Sequence, residues 1–168
     1  RHGVDATDDS MRELYSHAYH PNRSEGFFAK SIILVEGPTE QYALPIYADT
    51  AGHPLDSLNI SVVDSGGKGS MDRLYRIFNE LGIPCFMLFD YDKDNGDKNI
   101  VEKSVELLGL LGVPTVPPDD IMIRDNVACF PHKWETDLSP EIPGVEHLTA
   151  NARRDMGLHG DSGKPLIA

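Results

Sequence analysis

Positive charge is scarce in this 168-residue chain: 15 Lys and Arg stand against 27 Asp and Glu, a formal net charge of −12. That balance excludes a generic nucleic-acid coat, which is ordinarily basic. It does not exclude an enzyme whose carboxylates gather around bound cations, because such ions invert the local field. Long hydrophobic runs are absent too. No stretch approaches the roughly 18 apolar residues of a membrane span, and no signal peptide is visible, so a cytoplasmic chain without membrane contact is expected. Cysteine is limited to Cys85 and Cys129. Both fall in apolar, strand-like runs and read as buried reduced thiols rather than a disulfide. Cys–Cys zinc spacing, metal-ligand spacing among the seven histidines and serine-nucleophile elbows are all missing.

What is present, from Ser31 onward, is alternation. A short apolar strand at Ser31–Val35 leads into a helix from about Thr39 to Ala51, with Ala43, Leu44, Tyr47 and Ala48 at three- and four-residue spacings. Pro45 inside that pattern predicts a kink or a break. A strand at Asn59–Val63 precedes the turn Asp64-Ser65-Gly66-Gly67-Lys68-Gly69 and a helix of about Ser70–Leu81. Strand Pro84–Phe89 is followed by helix Ile100–Leu111 and a fourth strand at about Val113–Val116. The pattern then thins: Ile121–Ile123 and Val127–Phe130 read as short edge strands, and a helix of about Val145–Met156 closes the readable part. Alternation with short connections implies an α/β fold, a parallel sheet with helices on its faces and right-handed crossovers. Residues 1–30 read as a polar lead-in from a longer protein, 31–131 as the core and 132–168 as a loop-rich, helical remainder. Tyr15, Tyr19, Phe27 and Phe28 in the lead-in would cover either this sheet or a neighbouring domain.

Two acidic pairs stand out against this frame. Glu36 and Glu40 follow the first strand across a turn that Gly37 lets bend sharply; Asp90 and Asp92 follow the third. The C-terminal ends of parallel strands converge on the crevice where open α/β sheets place ligands. Four carboxylates there repel one another unless cations lie between them, and hard oxygen donors suit Mg²⁺ or Mn²⁺. An EF-hand does not fit, because the positions that need glycine and glutamate hold Asn95 and Val101. Helix-dipole stabilisation would explain Glu40 alone and leave Glu36 unaccounted for. The turn around Gly67 and Lys68 offers amides and an ammonium to a phosphate, without the spacing of a nucleotide loop. Glu135 and Asp137 add two carboxylates after the Val127–Phe130 run. Lys164, in Gly163-Lys164-Pro165, reads by itself as a solvated lysine.

Glu36-Gly37 at the first strand end, with Asp90-Tyr91-Asp92 at a later one, resembles the TOPRIM domain of topoisomerases, bacterial primases and certain nucleases. The run from Phe27 through Ile33-Leu34-Val35-Glu36-Gly37-Pro38-Thr39-Glu40, with the Gly66-Gly67-Lys68 turn and the Leu81-Gly82-Ile83-Pro84 approach, is similar to the OLD (overcoming lysogenization defect) nuclease family. This resemblance implies a TOPRIM, Rossmann-like sheet and a bacterial DNA endonuclease using two Mg²⁺ or Mn²⁺ ions. It also implies an upstream ABC-type ATPase domain in the longer protein, with homodimerisation through regions outside this chain as an open partner. On it, Glu36, Glu40, Asp90 and Asp92 become metal ligands, with Glu36 also catalytic, and Glu135 or Asp137 supplies the late acidic ligand. Lys164 matches the family's late lysine, and Gly67 and Lys68 would meet the DNA phosphate. Two rival readings remain at this point: a topoisomerase- or primase-like TOPRIM unit, and a metal-stabilised DNA-binding module without catalysis.

Overall fold

A computed structural model describes residues 24–138, together with Pro140, Asn151 and Arg154. Nine elements follow in chain order: β1 (Ser31–Val35), α1 (Pro38–Thr50), β2 (Ile60–Asp64), α2 (Lys68–Glu80), β3 (Cys85–Asp90), α3 (Lys98–Leu110), β4 (Met122–Arg124), β5 (Val127–Phe130) and α4 (Trp134–Leu138). The sheet order is β2-β1-β3-β5-β4, with all pairings parallel except β4–β5. This is the mixed α/β, mostly parallel sheet expected of a TOPRIM fold.

Strand alternation divides the core in two. Ile32 and Leu34 of β1 and Met87 and Phe89 of β3 point to one face, where Met71, Leu74 and Phe78 of α2 and Leu107 and Leu108 of α3 cover them. Val35 and Leu88 point to the other face and meet Ala43 of α1 and Trp134 of α4. Burial on both faces makes β1 and β3 continuous apolar runs, the mark of strands inside a doubly covered parallel sheet. The ends of β1, β2 and β3 therefore meet one rim, with helices entering from both sides.

Two expectations need correction. Of the kink or break expected at Pro45, the break does not occur, and helix α1 continues through the proline. An internal proline costs about 3 kcal/mol, which burial of Ala43 and partial burial of Leu44 against the sheet offset. The strand expected at Val113–Val116 does not form. Gly112, at φ 71°, ends the preceding helix, Pro114 and Pro117 lack ladder donors, and Val116 is 67% exposed. The place beside β3 goes instead to β5, all four of whose residues are buried.

In the lead-in, Phe27 covers this sheet: its ring lies 5.1 Å from that of Phe78, and Gly26 is buried where a Cβ would meet Phe78 and Val63. Phe28 is exposed. Tyr15, Tyr19, most of the Val145–Met156 helix and Lys164 lie outside the described residues, although Asn151 and Arg154 are helical. Cys85 and Cys129 are free thiols, as their apolar surroundings suggested, and burial raises both to about 12. Among the described residues no helix is long and apolar enough to cross a membrane.

Candidate acidic site at the strand ends

The site is assembled by chain reversals at the ends of three parallel strands. Glu36 directly follows β1. Its carbonyl accepts hydrogen bonds from Gly67 N (2.8 Å) and from the buried Ser65 Oγ (3.1 Å), so the β2–α2 turn fixes its backbone. Glu40 lies in the first turn of α1, only 8% exposed, and its Oε2 accepts from Gly37 N at 3.2 Å. That bond satisfies one donor at the helix start. Asp90 is the last residue of β3, and its Oδ1 accepts from Trp134 N at 2.8 Å. Asp92 reaches the site from beyond the strand, with φ 60°, a left-handed conformation that aspartate tolerates better than most residues. Tyr91 between them turns into the core, its hydroxyl donating to Thr115 O at 3.2 Å. Ser104 Oγ donates to Tyr91 O at 3.0 Å and ties this corner to α3.

Lys68, the first residue of α2, is buried at 6% exposure. Its Nζ lies 2.6 Å from Asp92 Oδ2 and 3.9 Å from Glu36 Oε2. Glu36 Oε2 is itself buried and has no hydrogen-bond partner. In the glycine-rich turn from which a phosphate contact is expected, the Gly67 amide donates to Glu36 O and the Lys68 ammonium pairs with Asp92.

Electrostatics report how tightly these carboxylates are gathered. Burial raises Asp90 to about 8, helped by the charges of Glu36, Glu40 and Asp92 and opposed by the Trp134 N–H. Burial also raises Glu36, against the lowering pull of Lys68 and with Asp92 adding to the rise. Glu40 rises for the same first reason, with Glu135 and Glu36 contributing repulsion. Five acidic residues from four parts of the chain therefore sense one another: Glu36, Glu40, Asp90, Asp92 and Glu135. Asp137 is differently engaged. Its Oδ1 meets His132 Nδ1 at 2.8 Å and its Oδ2 accepts from His132 N at 2.9 Å. His132 Nε2 lies 3.2 Å from Asp94 Oδ2, so the imidazole links the loop after β3 to α4.

The donor set suits a hard divalent cation by its chemistry: all oxygen, mutually repelling, with one buried carboxylate oxygen that accepts no hydrogen bond. Among the described residues, no three His, Cys, Asp or Glu side chains are closed around a common point as an ion's ligands. Lys68 stands between Glu36 and Asp92 instead. An open cleft of about 500 Å³ is lined by Glu36, Lys68 and Asp92 together with Asn99, Lys103 and Lys133.

The sequence did not single out Ser65, Ser104, His132 or Trp134. Their work is to hold other groups, and it depends on which strand ends are neighbours. A Ser directly after β2 and a Pro-His directly after β5 were visible signals, once β2 and β5 are known to flank β1 and β3.

Residues 27–92 match the model of the family described as "Overcoming lysogenization defect protein-like, TOPRIM domain". This segment is an OLD-like TOPRIM domain. It contains both acidic pairs and Lys68; Glu135 and Asp137 lie beyond it. The chain is similar to the Old nuclease of Escherichia phage P2, at 36% identity over 84 residues, which is 49% of this chain and 14% of that protein. It is also similar to the uncharacterized protein YbjD of Escherichia coli strain K12, at 26% identity over 97% of this chain and 29% of that protein. The chain thus spans less than a third of the length of either curated relative. Solved C-terminal regions of OLD proteins share the TOPRIM fold. The Burkholderia pseudomallei region superposes with a TM-score of 0.59 at 20% identity, covering 83% of this chain and 70% of that one. For the Xanthomonas campestris pv. campestris region the TM-score is 0.57 at 22% identity, covering 81% and 66%.

Proposed function

We propose that this chain is the nuclease part of a divalent-metal-dependent DNA endonuclease, acting in the cytoplasm of a bacterium and joined in its full-length protein to an ABC-type ATPase domain. The observation that carries the reading is the gathering of buried carboxylates at the strand ends, where burial first, and the charges of Glu36, Glu40 and Asp92 after it, lift Asp90 to about 8. Such a cluster is costly without cations, and a phosphodiester is the substrate class on which clustered cations act. The likeness to the Old nuclease of phage P2 supports the same reaction.

Glu36, Glu40, Asp90, Asp92 and Glu135 would hold two Mg²⁺ or Mn²⁺ ions; when bound, these lower the pKa of the attacking water and neutralise charge on the phosphate. Glu135 is preferred to Asp137 as the late ligand, because its charge acts on Glu40 while both oxygens of Asp137 serve His132. Glu36 is the residue best suited to take the water's proton, having a buried acceptor oxygen that no donor uses. Asn99, Lys103 and Lys133 on the cleft wall would steady the DNA backbone. Lys164 would meet charge developing on the phosphate, as the family resemblance implies.

The test is cleavage of supercoiled plasmid with Mg²⁺ or Mn²⁺. Nicked or linear product is expected from the parent, with more than about a 100-fold loss in Glu36→Ala and Asp90→Ala, since even supporting residues around metals cost 10–100-fold. Equal cutting by parent and variants would sink the assignment. Relaxed closed circles would indicate a topoisomerase-like unit, and metal-dependent DNA binding without product a binding module.

A further inference from the structure

Lys68 occupies a position that its own helix does not favour. It is the first residue of α2, where the helix macrodipole presents its positive end and repels a cation. It is also buried, and an ammonium taken out of water is destabilising unless carboxylates offset the lost hydration. Asp92 at 2.6 Å and Glu36 at 3.9 Å supply that offset. Glu36 has a fixed backbone, held by Ser65 and Gly67, yet its buried Oε2 has no hydrogen-bond partner. The side chain is therefore positioned for a cation, and the cation beside it is the lysine.

We infer that Lys68 is a tethered placeholder for one of the metal ions: its ammonium bridges Asp92 and Glu36 in the metal-free protein and leaves them when a divalent cation binds. This rests on the metal-dependent reading above and extends it to the state before the ion arrives. The lysine is a positioning residue here. It keeps two carboxylates folded inward without an ion and competes with the ion for them. A placeholder of this kind makes the site hold metal less tightly than its carboxylate count implies, and it frees a lysine amine within reach of the cleft once the ion is in place.

Calorimetric titration with Mn²⁺ and thermal melts in chelator test this on the parent and on Lys68→Met. The variant should melt at a lower temperature in chelator and bind Mn²⁺ about tenfold or more tightly, because a unit positive charge beside the ligands is gone. Lys68→Arg, which keeps the charge, should bind no more tightly than the parent. A measurement on the parent alone covers the case in which the variants do not fold. Acylation of Lys68 by an amine-reactive ester, read by peptide mass spectrometry, should be slow in chelator and rise at least severalfold as Mn²⁺ saturates the site. Unchanged or weaker Mn²⁺ binding in a folded Lys68→Met, or Lys68 acylation that stays flat while the parent binds Mn²⁺, would overturn the placeholder and leave the metal reading intact. A parent that takes up no Mn²⁺ at all would overturn the metal reading, and the placeholder with it.

Discussion

The two halves of the acidic site differ in how they meet the same problem. On the side of Glu36 and Asp92, a buried lysine lies among the carboxylates, 2.6 Å from one and 3.9 Å from the other. On the side of Glu40 and Asp90, backbone donors help: Gly37 N to Glu40 and Trp134 N to Asp90. The second half carries the larger consequence, with Asp90 raised to about 8 by burial and by its acidic neighbours. A single N–H offsets part of a buried carboxylate's cost, whereas an ammonium offsets most of it. The difference teaches that the same substitution, carboxylate to carboxamide, should have opposite signs in the two halves when no metal is added.

The larger effect belongs to the lysine-bearing half. Asp92→Asn leaves Lys68 buried with only Glu36 nearby, and breaking a buried pair from one side costs about 3 kcal/mol or more. Urea melts of the metal-free protein at pH 7 should show that loss. Unchanged stability would mean that Lys68 relaxes into solvent and that the two halves do not differ. In the other half, Asp90→Asn replaces a carboxyl that burial and its acidic neighbours keep protonated towards pH 8, and it keeps an oxygen to accept from Trp134 N. Asp90 titrates near 8 when folded against an ordinary 3.8, so on unfolding the group gives up a proton. Its contribution is fully present below about pH 4 and is lost progressively as pH rises towards 8, since a folded pKa above the unfolded one makes stability fall with pH. Asp90→Asn should therefore stabilise the metal-free protein at pH 8 and flatten the fall in melting temperature between pH 5 and pH 8. Added Mn²⁺ should reverse the ranking, with the parent gaining more than the variant.

The sheet and the first four carboxylates were legible because their signals are local. Apolar runs ending in Glu36 and Asp90 mark buried parallel strands and say where the chain reverses. What was hidden depends on strand order. The turn bearing Lys68 closes on Glu36 because β2 lies beside β1, a fact that no spacing in the sequence states, and so the lysine read as a phosphate ligand rather than as a partner of Asp92. The segment 113–116 looked like a strand because Val113 and Val116 are apolar, yet the prolines around them cannot complete a ladder. β5 takes the place beside β3 because all four of its residues suit burial on both faces.

The smallest effect concerns the hinge between the halves. His132 joins Asp94, in the loop that carries Asp92, to Asp137, on the helix that carries Glu135. The imidazole is 38% exposed, so the contacts are screened and His132→Ala should cost only about 1 kcal/mol of stability. Mn²⁺ binding separates a hinge from a ligand. If Asp137 serves His132, then His132→Ala and Asp137→Asn should each change Mn²⁺ affinity by less than about threefold, while Glu135→Gln weakens it about tenfold or more, as loss of a ligand or its immediate support does. An Asp137→Asn protein that loses as much Mn²⁺ affinity as Glu135→Gln would make Asp137 the late ligand. Its engagement with His132 would then be a second contact that the ion displaces, and the lysine-free half would also hold a side chain in waiting.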